Sequence, residues 1–274
     1  MPKLPVSVGA IRKLLREIAA SGSGEHVLAV GGAHQLAPLL RQQLRRGGAD
    51  PAAVRLGDPE GAGVYVHVLA GEPDGEDVAL LRRARRASVS AIAVAVGFAE
   101  DTTIPYVLAT DVVWVGAGDA FPLEAIAHAI AVRLGERGAP LAARVPLLHE
   151  AVSEQLLGSF ARKNGLLAAA VWIPGADLPA LALNELRLVL RLAQAYGGAG
   201  EVGGRLPELA ATVGAGFGLR ALAREVLDLV PGAGWAVNVG VAYAGTRGLG
   251  DAARLRFASA PTRQPPGEVA RAAP

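Results

Sequence analysis

The sequence predicts a two-part fold: a small α/β domain built on a parallel sheet, followed by an all-α domain of four helical segments. Three observations support this prediction. Short apolar runs alternate with helical patterns between His26 and about Arg137. From Arg144 onward no strand pattern is found, and glycine or proline breaks separate helical patterns. Hydrophobic residues make up 51% of the chain, which supplies a core for both parts.

An amphipathic helix is predicted over residues 7–20, with Ser7 as its N-cap. Its apolar positions recur at helical spacing, and its other face is basic. These positions are Ile11, Leu14, Leu15 and Ile18, opposite Arg12, Lys13 and Arg16. The helix either docks on its own domain or contacts a membrane surface or a partner. With the flexible linker SGSG at 21–24 it forms the predicted segment 1–24.

An α/β domain is predicted over residues 25–140. Buried strands are expected at 26–30, 64–70, 90–96 and 111–117, and helices at 35–46, 76–87 and 122–137. Because these apolar strands alternate with helices, they should form a parallel sheet that helices cover on both faces.

A helical domain is predicted over residues 141–258, with a disordered tail at 259–274 that is rich in proline and small residues. Asp177 follows the Pro174-Gly175 break and is expected to cap the second helical segment. The four segments are expected at 144–172, 178–196, 205–230 and 234–257.

The glycine loop after the first predicted strand is where an α/β domain would hold phosphate. Gly31 and Gly32 could admit an anion, but no lysine, serine or threonine follows through residue 40. The spacing of Asp58 and Gly61 fits a switch motif, whereas GFAEDTT follows Val96 in place of a guanine-reading Asn-Lys-x-Asp. The pattern predicts a degenerate GTPase-like domain with Gly31 and Gly32 as weak anion candidates. No cofactor is expected.

No catalytic or metal-binding constellation is found in the sequence. The chain has no cysteine, and its five histidines lack paired spacing. Arg82, Arg83, Arg85 and Arg86 form either a solvated helix face or a surface for an acidic partner or anionic lipid. A net charge of +2 without a recognition motif argues against nucleic acid as a partner.

The second helical segment has one thin polar stripe on an otherwise apolar surface. Asn184, Arg187, Arg191 and Gln194 are spaced by three, four and three residues, so they share one face. Because unpaired buried charge is costly, the stripe must have partners. The third segment offers candidates, which are Arg220, Arg224, Glu225 and Asp228.

The fourth segment combines an uncharged run at 229–246 with a ridge of small residues. The ridge recurs every four residues and lets two helices approach closely. Its members are Ala236, Gly240, Ala244 and Gly248. Replacing Gly240 with leucine is therefore expected to disrupt packing. Trp235 lies near the segment start, as aromatic residues do at a lipid interface, and the sequence favours membrane association.

Four ordered motifs within residues 144–257 resemble the YcjF-type domain of unknown function, a bacterial family often fused behind small GTPase domains. They are IPGADLP at 173–179, NELRLVLRLAQAYG at 184–197, GFGLRALAREVLDLVPGAGWAVN at 216–238 and VAYAGTRGLGDAA at 241–253. The N-terminal half is similar to the degenerate GTPase-like half of some members. Glu185 and Leu188 stand where relatives usually have glutamine and methionine.

The resemblance implies a membrane-associated helical domain without an established activity. It assigns no chemistry to the positions onto which the family motif maps. These are Pro174, Gly175, Asp177, Pro179, Asn184, Arg187, Tyr196, Gly197, Arg220, Arg224, Glu225, Trp235, Tyr243, Thr246 and Gly250.

The functional prediction is a non-enzymatic adaptor or scaffold at the cytoplasmic face of the cell membrane, with membrane lipid or a membrane protein as its partner. Two alternatives stay open. One is a divergent GTPase-related hydrolase with a non-standard phosphate loop. The other is a soluble cytoplasmic module that forms homo-oligomers. Nucleotide binding distinguishes the first alternative, and cell fractionation the second.

Overall fold

A parallel sheet of five strands lies at the centre of the structure, a computed structural model that describes residues 7–22, 26–98, 102–170, 178–198 and 234–259. The predicted α/β class with a parallel sheet is confirmed. The strands are β1 (Leu28–Gly32), β2 (Val54–Leu56), β3 (Val64–Leu69), β4 (Ser90–Val96) and β5 (Val112–Val115). Their order across the sheet is β2-β1-β3-β4-β5.

This strand order is that of a doubly wound sheet. The chain crosses from β1 to β2 in one direction and from β3 to β5 in the other, so the winding reverses between β1 and β3. Ligands of such sheets bind outside the carboxyl ends of the strands at this reversal point. Strand β2 was missed by the sequence analysis, because three residues at a sheet edge give too short a run to show a period.

Helices cover both faces of the sheet, as predicted. The helices are α1 (Val8–Gly22), α2 (Leu36–Leu44), α3 (Gly75–Arg86), α4 (Leu123–Leu134), α5 (Gly138–Ala142), α6 (His149–Ala170), α7 (Leu178–Ala195) and α8 (Gly234–Ala258). On one face α2 and α4 pack against the side chains of Val30, Val66 and Ile92. On the other face Leu81 and Ala84 of α3 pack against the opposite side of the same strands.

Helix α3 begins with a complete capping box. The Asp74 carboxylate accepts hydrogen bonds from the amides of Glu76 (2.8 Å) and Asp77 (2.9 Å), and the Asp77 carboxylate accepts one from the Asp74 amide (3.1 Å). These contacts satisfy amides that the first turn of a helix leaves unpaired. They also fix the position of Asp77 beside the carboxyl end of β3.

Three long helices, α6, α7 and α8, pack together in the second half of the chain. The first predicted segment was expected to begin at residue 144. The regular helix α6 begins later, at His149, because a 3-10 turn at Pro146–Leu148 precedes it. The second and fourth predicted segments correspond to α7 and α8. The third segment at 205–230 and the tail from residue 260 lie outside the described residues.

One continuous apolar core joins the sheet face under α2 and α4 to the long helices α6 and α7. Arg144 strengthens the junction, since its side chain donates to the Asp50 carboxylate (2.9 Å) and to the His26 carbonyl (3.0 Å). The division into domains at 25–140 and 141–258 stays a prediction.

Helix α1 packs on α7 and buries Leu14 and Ile18, which agrees with the interpretation of a helix docked on its own chain. It continues through Ser21 and Gly22, so the first half of the predicted SGSG linker is helical. In the part of the chain that the structure describes, no helix combines the length and apolar character needed to cross a bilayer.

Candidate functional site

A crevice of about 280 Å³ opens at the carboxyl ends of β1 and β3, where the winding of the sheet reverses. This is the position at which the sequence predicted a phosphate loop. The lining residues are Gly32, Ala33, His34, Val68, Ala70, Gly71, Glu72, Asp74, Glu76, Asp77 and Leu80.

Gly31 and Gly32 have a packing explanation at this site. The Tyr65 hydroxyl occupies the space that a Cβ at Gly31 would need. Gly32 has a φ of +92°, and a Cβ there would collide with the Val68 carbonyl oxygen. The same carbonyl accepts a hydrogen bond from the Ala33 amide (2.8 Å), which closes the loop onto β3. The close approach of β3 therefore accounts for both glycines, and anion binding by them stays a prediction.

A buried chain of hydrogen bonds runs from the sheet to the crevice. His67 is fully buried; its Nδ1 lies 2.9 Å from the Tyr65 hydroxyl, and its Nε2 lies 2.8 Å from Asp77 Oδ1. Burial raises the pKa of Tyr65, so the hydroxyl stays protonated and donates to Nδ1. Burial also lowers the pKa of His67, although the hydrogen bond to Asp77 opposes this shift. A neutral His67 therefore donates from Nε2 to the Asp77 carboxylate.

The electrostatic character of the crevice is acidic. Glu72, Asp74, Glu76 and Asp77 line it, and among the described lining residues there is no arginine or lysine. The amides of Asp77 and Glu76 lower the pKa of the Asp74 carboxyl, which keeps it ionised. Helix α2 starts beside the crevice, but the partial positive charge of one helix end, about half a unit, is smaller than the charge of these carboxylates.

Asp58, the first residue of the predicted switch motif, has a structural role outside the crevice. It accepts a hydrogen bond from the Glu60 amide (2.9 Å) and forms an ion pair with Arg83 of α3. The Glu60 amide is the largest cause of the lowered pKa of Asp58. The Asp-x-x-Gly spacing at 58–61 is thus accounted for by a turn and a surface ion pair.

A second polar constellation surrounds the stripe on α7, whose described partners were not the ones suggested by the sequence. The suggested partners on the third segment lie outside the described residues. Arg187 forms ion pairs with Glu17 of α1 and with Glu136, whose Oε2 lies 2.9 Å from Arg187 Nε. Arg191 donates from Nη1 to Ser21 Oγ (2.6 Å) and to Gln194 Oε1 (2.9 Å). The stripe therefore faces α1 and the turn after α4.

Glu136 is the acidic centre of this constellation. Its Oε1 accepts a hydrogen bond from Lys163 Nζ (2.9 Å), and its Oε2 lies 3.8 Å from Arg191 Nε. Burial raises the pKa of Glu136, but the Lys163 hydrogen bond and the charges of Arg187, Lys163 and Arg191 outweigh it and lower the pKa overall. The carboxylate thus stays ionised among three cations.

Asn184 begins a chain of polar contacts between the long helices. Its Nδ2 donates to Asn164 Oδ1 (3.0 Å), and Asn164 Nδ2 donates to Thr246 Oγ1 (2.9 Å). Thr246 Oγ1 also lies 3.3 Å from Glu185 Oε1 and 2.7 Å from the Ala242 carbonyl. Because Asn164, Glu185 and Thr246 are buried, these contacts fix the register of α6, α7 and α8.

The remaining predicted site residues lie elsewhere or outside the described part of the chain. Pro174, Gly175, Asp177, Arg220, Arg224 and Asp228 are outside it. Trp235 belongs to the first turn of α8. Gly240 and Ala244 are exposed on α8, and no described atom lies within 4 Å of a Cβ placed at Gly240. The expectation that Gly240→Leu disrupts packing therefore has no support within the described fold.

An exposed basic surface is formed by the last two turns of α3. The guanidinium carbons of Arg82 and Arg85 each lie 5.7 Å from the ring centroid of Tyr106, and Arg82 Nε donates to the Tyr106 hydroxyl (3.1 Å). Leu108, 60% exposed, lies two residues beyond Tyr106. We call Arg82, Arg85, Arg86, Tyr106 and Leu108 the basic-aromatic surface.

Several residues that the structure brings together were not predicted from the sequence, above all His67, Asp77, Glu17 and Glu136. His67 did give a signal, because it is the histidine that interrupts the apolar strand VYVHVL. Glu136 gave none, since it lies in a 3-10 turn without a periodic pattern.

The chain matches no protein-family model, no curated protein and no solved structure. The resemblance to the YcjF-type domain therefore stays a prediction.

Proposed function

We propose that this chain is a non-enzymatic adaptor or scaffold that associates with the cytoplasmic face of the membrane. In this proposal the sheet is GTPase-like in topology without holding a nucleotide, and the long helices belong to a YcjF-type helical bundle. The observation that supports it is the acidic crevice at the reversal point of the sheet. A nucleotide enzyme needs cations at this position, and four carboxylates occupy it.

The sign of the electrostatic effect favours this proposal over a divergent hydrolase. Like charges repel, although water weakens the repulsion at exposed carboxylates such as Asp74. A triphosphate in the crevice would approach Asp74, Asp77 and their neighbours without an arginine or lysine among the described lining residues. The crevice therefore offers a triphosphate like charges and, among the described lining residues, no side-chain cation to offset them.

The basic-aromatic surface supports the membrane part of the proposal. Arg82 and Arg85 are exposed beside Tyr106, and Arg86 is exposed on the last turn of the same helix. Cations that suit anionic headgroups therefore adjoin an aromatic ring that suits the interface, and the exposed Leu108 follows that ring two residues later in the chain. A basic residue near an anionic bilayer contributes about 1 kcal/mol. Three arginines therefore supply reversible, salt-dependent attachment without any helix entering the bilayer.

Calorimetry with guanosine triphosphate and magnesium tests the nucleotide part. We expect no saturable heat, because the crevice repels the phosphates. A dissociation constant tighter than about 10 μM for the unmodified chain would overturn this part and support the divergent hydrolase.

Vesicle flotation tests the membrane part. The full chain should float with phosphatidylglycerol vesicles and stay behind with phosphatidylcholine vesicles. Arg82→Glu together with Arg86→Glu should weaken flotation about tenfold or more. Arg46→Glu with Arg162→Glu makes the same change of charge at exposed positions outside this surface and should have a smaller effect. Equal losses in both pairs would contradict the assigned surface, and no flotation of the unmodified chain would contradict membrane attachment.

A further inference from the structure

A second cavity, of about 380 Å³, lies at the amino ends of β1 and β3, whereas the acidic crevice lies at their carboxyl ends. It is bounded by the residues before β1 and β3, by the end of α1 and by the chain from α4 to α5. Its walls are mainly apolar, and no acidic residue is among the described residues that line it. The apolar walls come from Val27, Leu134, Pro140 and Leu141, and the polar lining from Ser21, His26, Arg137 and Arg191.

Arg191 is the decisive residue of this cavity, because it is a cation that is only 5% exposed. Its Nη1 donates to Ser21 and Gln194, whereas its Nη2 has no hydrogen-bond partner within the described residues. Its Nε also lacks a hydrogen-bond partner there and has only Glu136 Oε2 at 3.8 Å. A buried guanidinium with unused donors at a cavity wall is costly unless an acceptor binds to it.

Glu136 does not compensate the charge of Arg191 fully. The same carboxylate contacts Lys163 and Arg187 at 2.9 Å, and Arg191 lies farther away at 3.8 Å. Arg137 adds another cation at the cavity, where it forms no hydrogen bond or ion pair with any described residue. Among the described residues, the cavity therefore combines excess positive charge with an apolar interior.

The histidine of the cavity is already committed to the protein. His26 Nε2 lies 2.6 Å from the Ser21 carbonyl oxygen, so this nitrogen donates to the backbone. The ring adds an apolar edge to the cavity, and the nitrogen that is bound to the backbone does not compete for the guanidinium groups. Among the described residues, Arg137 and Arg191 are thus the charged groups that can recognise a ligand.

We propose that this cavity binds a small amphipathic anion. Its carboxylate or phosphate head would accept hydrogen bonds from Arg191 and Arg137, and its alkyl or aryl body would contact Val27, Leu134 and Leu141. The volume falls in the range of pockets that hold small organic molecules, and one polar anchor in an apolar cavity fixes the orientation of such a ligand.

Calorimetric titration of the full chain with octanoate tests the proposal, with octyl phosphate, octan-1-ol and octylammonium as comparison ligands. Octanoate or octyl phosphate should bind with a dissociation constant of about 1 mM or tighter, and the tighter of the two identifies the head group. Octanol and octylammonium should bind at least about tenfold more weakly, because neither carries a negatively charged hydrogen-bond acceptor. Octanol binding as tightly as both anions, or no binding of either anion, would overturn the proposal.

Two arginine variants locate the site. Arg191→Gln should abolish anion binding, but it removes a buried group that also contacts α1. Arg137→Gln removes an exposed residue that has no partner among the described residues, so it should leave the melting temperature unchanged and weaken anion binding about three- to fivefold. Arg162→Gln, an exposed arginine on α6 outside the cavity, is the matched control and should bind as the unmodified chain does. Equal affinities of the Arg137 and Arg162 variants would place the anion elsewhere and refute the assignment.

Discussion

The hydroxyl of Tyr65 fills the space that a side chain at Gly31 would occupy. The two residues lie on neighbouring strands on the same face of the sheet, and the hydroxyl passes beneath Gly31 to reach His67 Nδ1. A glycine that resembles part of a phosphate loop in the sequence is thus required for a buried hydrogen bond.

The first prediction concerns this pair. Gly31→Ala should lower the free energy of unfolding by about 1–3 kcal/mol, because its Cβ forces the Tyr65 ring and hydroxyl to move in a filled core. Urea denaturation measures the loss. In the Tyr65→Phe background the same change should cost less, since the colliding oxygen is gone. Additive costs in the double variant would contradict the proposed collision.

The second prediction is a pH dependence that arises from His67. Its pKa is lowered in the fold below the ordinary value of 6.5, so the folded state favours the neutral ring. Stability from this residue is complete above pH 6.5 and is lost as the pH falls below that value, by at most about 1.4 kcal/mol per pH unit.

Denaturation midpoints between pH 7.5 and about 5 test this dependence. His67→Gln should flatten the curve in part, because His149 also has a pKa lowered by burial. His128→Gln, which changes an exposed histidine on α4, should leave the curve unchanged. A His67→Gln curve parallel to that of the unmodified chain would show that His67 does not contribute to it.

The third prediction concerns Glu136. Glu136→Gln should destabilise the fold by about 1–3 kcal/mol, because Arg187 and the buried Arg191 lose their shared carboxylate. Lys163→Gln removes the half-exposed member of the same cluster and should cost less than about 1 kcal/mol. Chemical denaturation at pH 7 compares the two. If Lys163→Gln is less stable than Glu136→Gln, the shared carboxylate of Glu136 is not the main stabilising group of this cluster.

Features that depend on residues close together in the chain were predicted from the sequence, and contacts between distant residues were not. Strands and helices repeat within a few residues, and β1, β3, β4 and α7 were therefore predicted within about two residues at most ends. The need of Arg191 for partners was also predictable from burial. Its partner Ser21, however, lies 170 residues away, and no local pattern encodes that contact.

The acidic crevice shows the same limit at the candidate site. The carboxylates of GEPDGED at 71–77 are visible in the sequence, and so are the glycines at 31 and 32. Only the adjacency of β1 and β3 in the sheet places the two loops against each other. The chemistry of the crevice therefore depends on strand order, which apolar periodicity does not specify.

The fourth prediction compares two glycines of α8 that differ in their surroundings. At Gly250 a Cβ would collide with the side chain of Leu157 and lie 3.1 Å from Leu188 Cδ2, and both leucines are fully buried. At Gly240 no described atom lies within 4 Å of a Cβ. Alanine at Gly240 should raise stability by up to about 1 kcal/mol through helix propensity, whereas alanine at Gly250 should lose that gain to overpacking.

Thermal denaturation of the two alanine variants measures this difference, which should favour Gly240→Ala by about 1–3 kcal/mol. Gly240→Leu adds a larger side chain at the same exposed position and should leave the melting temperature of the isolated chain close to that of Gly240→Ala. Light scattering of Gly240→Leu then separates two functions of the small-residue ridge. A change in oligomeric state with an intact fold would support the oligomerising module, whereas a large loss of stability would show that α8 is covered at Gly240.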